Sequence, residues 1–453
     1  MKTDVGRNNI SCPTAPMRDS GIEWIGAIPT GWLVSRIKVL AALAPGGTPK
    51  VDDESFWDEE GLPWIAIGDM SSRTWVDSAE RGVTPLGVRS KSLPVGIPGT
   101  ILFAMYASVG EVAVLGIPAT WNQAILGITP VTPNLHHTFL MYWLVASKRS
   151  LERLYRSNTQ SNLNAEQVGN LPILSPALAE QRAIADFLDR ETAKIDTLIA
   201  KRQRIIGLLD EKRSALITQA VTKGLDPTAP MRDSGIEWIG EIPEGWDVNR
   251  LRFHATIKVS NVDKKTIEGE FPVRLCNYTD VYYQERITDD LEFMVATATP
   301  SQKQQFTLVS GDVLLTKDSE TAEDIGVSAL VVGPLRNVVL GYHLALLRGY
   351  PDNLENRFLH WQLKATIAKD QLSLSATGVT RFGLRQESIA SLQLILPPLT
   401  QQHAIADFLD RETSRIDQLK SLNLHQIELL KEKRQALITA AVTGKIPEAR
   451  GVA

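Results

Sequence analysis

The sequence predicts an α+β chain. Two similar mixed α/β domains are joined by two long helices that form an antiparallel coiled coil, in a pseudo-two-fold circular arrangement. Three observations carry this. A short segment occurs twice almost unchanged, a long proline-free helix occurs twice, and the stretches between them differ in residues but share their punctuation. Repeats of this kind decide the division of a chain before any local reading does.

The first repeat is TAPMRDSGIEWIGAIPTGWLVSR at 14–36 and TAPMRDSGIEWIGEIPEGWDVNR at 228–250, identical at 19 of 23 positions at an offset of 214. The second lies at 182–222 and 403–443, identical at 26 of 41 positions at an offset of 221. The resulting segments are 1–32, a domain at 33–175, a helix at 176–222, a central repeat at 223–246, a second domain at 247–396, a second helix at 397–443 and a tail at 444–453.

Inside each domain the expected elements recur in order. GTILFAMYASVGEVAVLG at 99–116 and GDVLLTKDSETAEDIGVSALVVG at 311–333 both read as strand, loop, strand. The first has the length of a membrane span, but Pro98, Gly99, Gly110, Gly116 and Pro118 break it, which favours a buried hairpin. TFLMYWLVAS at 138–147 and RFLHWQLKAT at 357–366 read as short helices with one apolar side. SNTQSNLNAEQVGNLPILSPAL at 157–178 then parallels GVTRFGLRQESIASLQLILPPL at 378–399.

The repeated helix opens at Ser175–Pro176 in one copy and at Pro398 and Thr400 in the other. Gly224 and Gly444 stand just beyond the ends, where a left-handed cap belongs. A stripe at Ile195, Leu198, Ile206, Leu209 and Leu216 has a counterpart at Ile416, Leu419, Ile427, Leu430 and Leu437. Steps of three and four keep one face toward a partner helix, and each copy supplies the other's partner. Arg202 and Asn423 share one stripe position, where a polar side chain fixes register at some cost in stability. A helix of this length spans roughly 60 Å, and Gly207 weakens the first copy by up to about 1 kcal/mol. The central repeat follows the first helix directly. By symmetry the N-terminal repeat docks near the end of the second, closing the circle.

Composition and motifs exclude several classes. Hydrophobic residues are 43% and charged residues 22% of 453, enough to bury proper cores. Cys12 and Cys276 stand far apart, which excludes a disulfide framework or zinc finger and fits a reducing cytoplasm. The N-terminus lacks the apolar run of a signal peptide, and the chain reads as soluble. There is no methyltransferase tetrapeptide, phosphate loop, HExxH or GxSxG. His136 and His137, and the acidic runs Asp52–Asp53–Glu54 and Asp58–Glu59–Glu60, read as solvated loops, and 46–49 as a turn. Nothing marks a catalyst or a metal site. The net charge of −4 argues against coating nucleic acid through bulk positive charge.

IPxGW at 28–32 and 242–246, the two hairpins, and the helix-opening motif at 176–189 and 397–410 together resemble the specificity subunit of type I restriction–modification systems. The resemblance covers nearly the whole chain. Two small departures are SPALAEQ where the family prefers a double proline, and TQQ for EQ in the second copy.

The resemblance implies that each variable domain is a target recognition domain reading one half of an asymmetric, bipartite site in double-stranded DNA. It implies that the coiled coil sets the unspecified spacer, and that the repeats bind two methyltransferase subunits. Restriction/translocase subunits then join that core. S-adenosylmethionine, ATP and Mg are implied for those partners, none is bound by this chain, and no membrane is involved. This chain then catalyses nothing. Two other readings compete: the recognition half of a stand-alone modification or restriction enzyme, and a structural adaptor that reads no DNA. Methyl transfer by the purified chain separates the first, and divergence between the two domains speaks against the second.

Neither domain is basic: 37–170 has 10 Lys/Arg against 12 Asp/Glu, and 251–392 has 15 against 17. A DNA footprint is therefore local, with partners supplying much of the phosphate neutralisation. Lys148, Arg149, Arg153 and Arg156 lead into the polar run with Gln160 and Asn162. Lys364 and Lys369 precede the loop with Thr380, Arg381 and Arg385. Gln, Asn and Arg read adenine and guanine edges bidentately, so Gln160 and Arg381, equivalent at an offset of 221, are the first choice. Arg73 and the hairpin loops with Tyr106, Ser108, Lys317 and Ser319 come second. Trp24, Trp32, Trp238 and Trp246 are identical between copies, cannot read different sequences, and are assigned to core or to methylase docking.

Overall fold

A computed structural model describes residues 16–71, 73–106, 108–155 and 162–451. The chain divides into two compact units, 1–202 with 425–453, and 203–424.

The first unit is built on a five-stranded sheet in the order Ala41–Pro45, Ile125–Pro130, Ile101–Ala104, Val112–Leu115, Trp75–Val76. Ile101–Ala104 is buried at every position, as a central strand covered on both faces must be. It pairs antiparallel with Val112–Leu115 in the expected hairpin, Phe103 opposite Val112. Trp75–Val76 closes the edge in parallel. A three-stranded sheet, Thr120–Trp121, Trp57–Ile65 and Gly82–Val83, lies in the same unit. Asp58, Glu59 and Glu60 therefore sit on an exposed strand rather than in a loop.

The second unit repeats this plan strand for strand. Its five-stranded order is Ala255–Val259, Leu344–Gly349, Val313–Thr316, Ser328–Val331, Arg286–Ile287, and its three-stranded order is Met294–Ala298, Phe271–Cys276, Val338–Leu340. Arg286–Ile287 again closes the edge in parallel, on Ser328–Val331. Fully buried VLLT replaces fully buried ILFA. What the two units share here is the pattern of burial and turns, not residues.

The repeats act as fasteners. Met17–Asp19 pairs with Ala27–Pro29, and the Arg18 guanidinium donates to the Trp32 carbonyl at 2.6 Å. Met231–Asp233, Glu241–Pro243, Arg232 and Trp246 do the same in the second unit. The Trp32 indole donates to Glu180 at 3.0 Å and the Trp246 indole to Gln401 at 2.8 Å, tying each repeat to the first turn of a long helix. Trp32 and Trp246 are core residues, whereas Trp24 is half-buried and Trp238 exposed.

The long helices are Leu178–Lys223 and Leu399–Val442. The glutamine of the helix-opening motif is buried and fully used. The Gln181 amide donates to the carbonyls of Asn134 and Pro176 and accepts from the His136 N–H at 2.9 Å. Gln402 does the same with Asn353, Pro397 and the Glu355 N–H. The aspartate of the motif takes the next contact: Tyr142 Oη donates to Asp189 at 2.7 Å, and the Trp361 indole to Asp410 at 3.2 Å. His136 and His137 are not solvated loop residues; they stack at 4.7 Å at the start of the helix His137–Tyr155, held by Gln181.

Within each unit the long-helix segments run antiparallel. Arg434 binds Asp196 at 2.9 Å in the first unit; in the second, Arg213 lies 3.5 Å from Asp417 and Lys420 binds Asp210. The seam steps by four and three without exception: Leu188, Thr192, Ile195, Ile199 and Arg202 in the first unit, then Ile206, Leu209, Arg213 and Leu216 in the second. Its counterpart runs Leu409, Thr413, Ile416, Lys420 and Asn423 in the second unit, then Ile427, Leu430, Arg434 and Leu437 in the first. Leu198 and Leu419 fall off this seam, 46% and 49% exposed. The step from 195 goes to 199, because three must alternate with four to stay on one face. Ile199 and Lys420 hold those places instead.

Both helices end in the expected glycine, Gly224 and Gly444, each with φ of 75°. In the first unit Gly444 packs on Pro29 and Trp32, so the N-terminal repeat does dock at the end of the second helix. Arg450, on the final turn Pro447–Arg450, adds an ion pair to Glu180 and lies over the Trp32 ring.

Candidate nucleic-acid interface

In each unit two loops far apart in sequence meet at the same end of the five-stranded sheet. In the first unit the Leu163 N–H donates to the Met105 carbonyl at 3.0 Å, joining the hairpin loop to the segment before the short helix Ala165–Gly169. In the second, the Leu384 N–H donates to the Lys317 carbonyl at 2.7 Å, and Asp318–Ser319 pairs with Phe382–Gly383. The hairpin loop and the segment before the short helix, two separate groups in the sequence, thus meet in each unit.

The second unit shows how such a surface is built. Thr377 and Gly383 exchange both backbone hydrogen bonds, closing a small loop that carries Thr380 and Arg381, both exposed. Gly378 sits at φ of 150°, where an added Cβ would lie 1.9 Å from the Arg381 carbonyl oxygen; only glycine fits. Arg385 is exposed just before the helix Gln386–Ala390. The loops frame a cleft of about 510 Å³ lined by Tyr278, Tyr282, Asp318, Ser319, Asp324 and Arg381, among others.

Several assignments change. Ser319 is only 6% exposed and belongs to the wall of the cleft, behind the hairpin tip. Lys317 is half-buried, bound to Asp318 at 3.0 Å and lying over the Tyr342 ring, so its ammonium is already engaged. Lys364 is half-buried beside Glu285 at 3.5 Å and serves the helix, not a ligand surface. In the first unit Tyr106 packs against the core, Ser108 is half-buried in the hairpin loop, and the Lys148 stem lies against Gly110 in that loop. Asn162 is half-buried next to the Leu163–Met105 bond. Arg149 lies on the helix His137–Tyr155. Arg156 and Gln160 lie outside the described residues.

The cleft of the second unit is acidic, with Asp318, Glu320 and Asp324 against Arg381. Asp318 is held below the usual carboxylate range: burial opposes this, but hydrogen bonds from His343 at 2.6 Å and from Lys317 prevail. Tyr282 Oη donates to Asp324 at 2.6 Å, and that charged acceptor pushes the phenol up to about 12. The cleft is therefore rich in acceptors, suited to exocyclic amino groups of bases rather than to phosphate. Arg381 is the guanidinium at its rim. Sequence reading missed the tyrosines Tyr278, Tyr282 and Tyr283, which stack beside it. Among the described residues no group of His, Cys, Asp or Glu is arranged to hold a metal ion. No described helix is long and apolar enough to cross a membrane.

Two duplicated heads, each carrying its own divergent loops on a common frame, define a protein with two separate recognition surfaces. The profile of the type I restriction modification DNA specificity domain matches the chain twice, over residues 29–206 and 255–429, and the chain belongs to that family. It is 24% identical to the type I restriction enzyme MjaIX specificity subunit of Methanocaldococcus jannaschii, covering 93% of this chain and 95% of that one. It is 22% identical to the EcoKI specificity subunit of Escherichia coli, covering 93% and 90%. Among solved structures, a chain of a type I R-M system studied for complex assembly and conformational transition superposes with a TM-score of 0.70 at 16% identity, covering 92% of this chain and 99% of that one. The HsdS subunit from Thermoanaerobacter tengcongensis gives 0.50 at 16% identity, covering 92% and 98%.

Proposed function

We propose that this chain is the DNA sequence-recognition subunit of a type I restriction–modification complex. Each unit reads one half of an asymmetric bipartite site, and the long helices set the unspecified gap. One observation carries the reading: two units with the same five- and three-stranded sheet orders, fastened by near-identical repeats, present different residues on loops that converge at the same place. A purely structural adaptor needs no such divergence.

The chain supplies readout and no chemistry. Methyltransferase subunits carrying S-adenosylmethionine, and restriction/translocase subunits using ATP and Mg, complete the complex. Support for partner docking comes from the helix pair of the second unit, where Ile205, Leu208, Leu419, Leu422 and Leu424 are all exposed. Exposed apolar residues in such number on one helix pair are the kind a protein partner covers. The absence of basic excess in either recognition domain fits a chain whose tight binding depends on partners that neutralise phosphate.

Methylome sequencing of a host carrying the complete system tests this. The expected result is one asymmetric motif with two specified blocks and a fixed unspecified gap. A single contiguous motif, or methylation without sequence preference, contradicts the proposal.

A further inference from the structure

The short helices Ile67–Met70 and Tyr278–Tyr283 occupy the same place in the two units. Each opens with a carboxylate returning to the residue before the helix: Asp69 accepts from the Ala66 N–H, and Asp280 from the Asn277 N–H, both at 2.8 Å. Each leads into the edge strand that pairs in parallel with the second hairpin strand, Trp75 opposite Val114 and Arg286 opposite Leu330. Both correspondences carry an offset of 211, from 69 to 280 and from 75 to 286. Arg73 therefore has one structural counterpart, Gln284.

Two residues back along the parallel pairing, Arg73 stands level with Val112 and Gln284 level with Ser328. Val112 opens the second hairpin strand, as does Ser328, so both side chains stand at the hairpin-loop end of the sheet. Both are exposed. In the second unit the following residue, Glu285, turns to Arg213 on the long helix. In extended chain its neighbour Gln284 points the other way. The turn before Gln284 is rigid: Tyr278 stacks on Tyr282 at 5.5 Å, Tyr282 is fixed to Asp324, and Tyr283 packs edge-on against Tyr282 at 4.9 Å while remaining 74% exposed.

We propose that Arg73 and Gln284 are equivalent specificity-determining residues, Arg73 reading a guanine for the first unit and Gln284 an adenine for the second. The chemistry follows from the side chains. A guanidinium donates two hydrogen bonds to guanine O6 and N7, whereas a carboxamide accepts from adenine N6 and donates to N7. The same backbone position thus reads opposite patterns in the two heads. This rests on the proposed recognition function.

The test uses the assembled methyltransferase complex with wild-type chain, Gln284→Arg, Gln284→Ala and Arg73→Gln, read by methylome sequencing and by binding to defined duplexes. Gln284→Arg is expected to change one adenine to guanine in one block. Arg73→Gln is expected to do the reverse in the other block. Gln284→Ala should lose the preference at that base by about 5- to 150-fold, with all other positions kept. A defined wild-type motif that all three variants leave unchanged overturns this assignment alone. A wild-type complex that methylates no defined motif overturns the recognition reading, and this inference with it.

Discussion

Arg381 stands on a loop closed by reciprocal Thr377–Gly383 bonds and held open by a glycine that no other residue can replace. Arg381→Ala is expected to cost about 1–3 kcal/mol of specific binding and to relax one base position, with unchanged circular dichroism. Equal loss on every sequence would instead mark a phosphate contact. His360, wholly buried beside Glu285, makes the second residue-scale prediction. Burial holds its ring below the ordinary 6.5. Unfolding restores that value, so the unfolded chain binds more protons below pH 6.5 and stability falls there as pH drops. Glu285 is also depressed: burial opposes this, but the His360 ring 3.9 Å away and the charges of Lys364 and Arg213 outweigh it. Its contribution is present above 4.5 and lost as pH falls through its folded value. His360→Met, which copies Met141 at the equivalent place, should flatten the fall of Tm that begins at pH 6.5. His136 and His137, likewise lowered by burial, keep part of it in the first unit. An unchanged pH profile contradicts the assignment. These roles were only partly legible. Arg381 declared itself as an exposed arginine among turn residues. Lys364 and Ser319 carried the same polar signal, yet burial against Glu285 and behind the hairpin tip sets them apart, and burial is a property of the fold.

At the scale of elements, the helix seam offers the clearest contrast. Ile195→Ala should lose about 2–5 kcal/mol in urea unfolding, whereas Leu198→Ala should stay within about 0.5 kcal/mol. Equal losses would contradict the four-and-three seam. The repeated helices, their glycine caps and the hairpins were readable directly, because period and punctuation belong to single stretches of chain. The phase of the seam was not. Leu198 and Leu419 look like core by composition, while Lys420 looks like surface, although it reaches across to Asp210. The C-terminal turn is a second such element. Arg450→Ala leaves Glu180, half-buried beside Trp32, without its ion pair, and should cost about 1–3 kcal/mol of the first unit's stability. Thermal unfolding of that variant showing no shift would contradict the assignment. The equivalence of Arg73 and Gln284 was invisible in sequence, since 67–73 and 278–284 align only through one capping aspartate and a strand register.

For the whole molecule, the proposed function reconciles a net charge of −4 with DNA recognition: the duplicated frame is held constant, and the divergent loops are assigned the readout. Lengthening both long helices by one heptad adds about 10 Å, or roughly three base pairs. The gap in the methylated motif should widen by that amount while both blocks stay fixed. A constant gap with an altered block would contradict the helices' role. The most direct measurement replaces residues 37–170 with the corresponding domain of a relative and sequences the methylated sites of the assembled complex. One block should change to the donor's, with the other block and the gap retained. If both blocks stay as in the wild type, the first unit does not read DNA and the account fails.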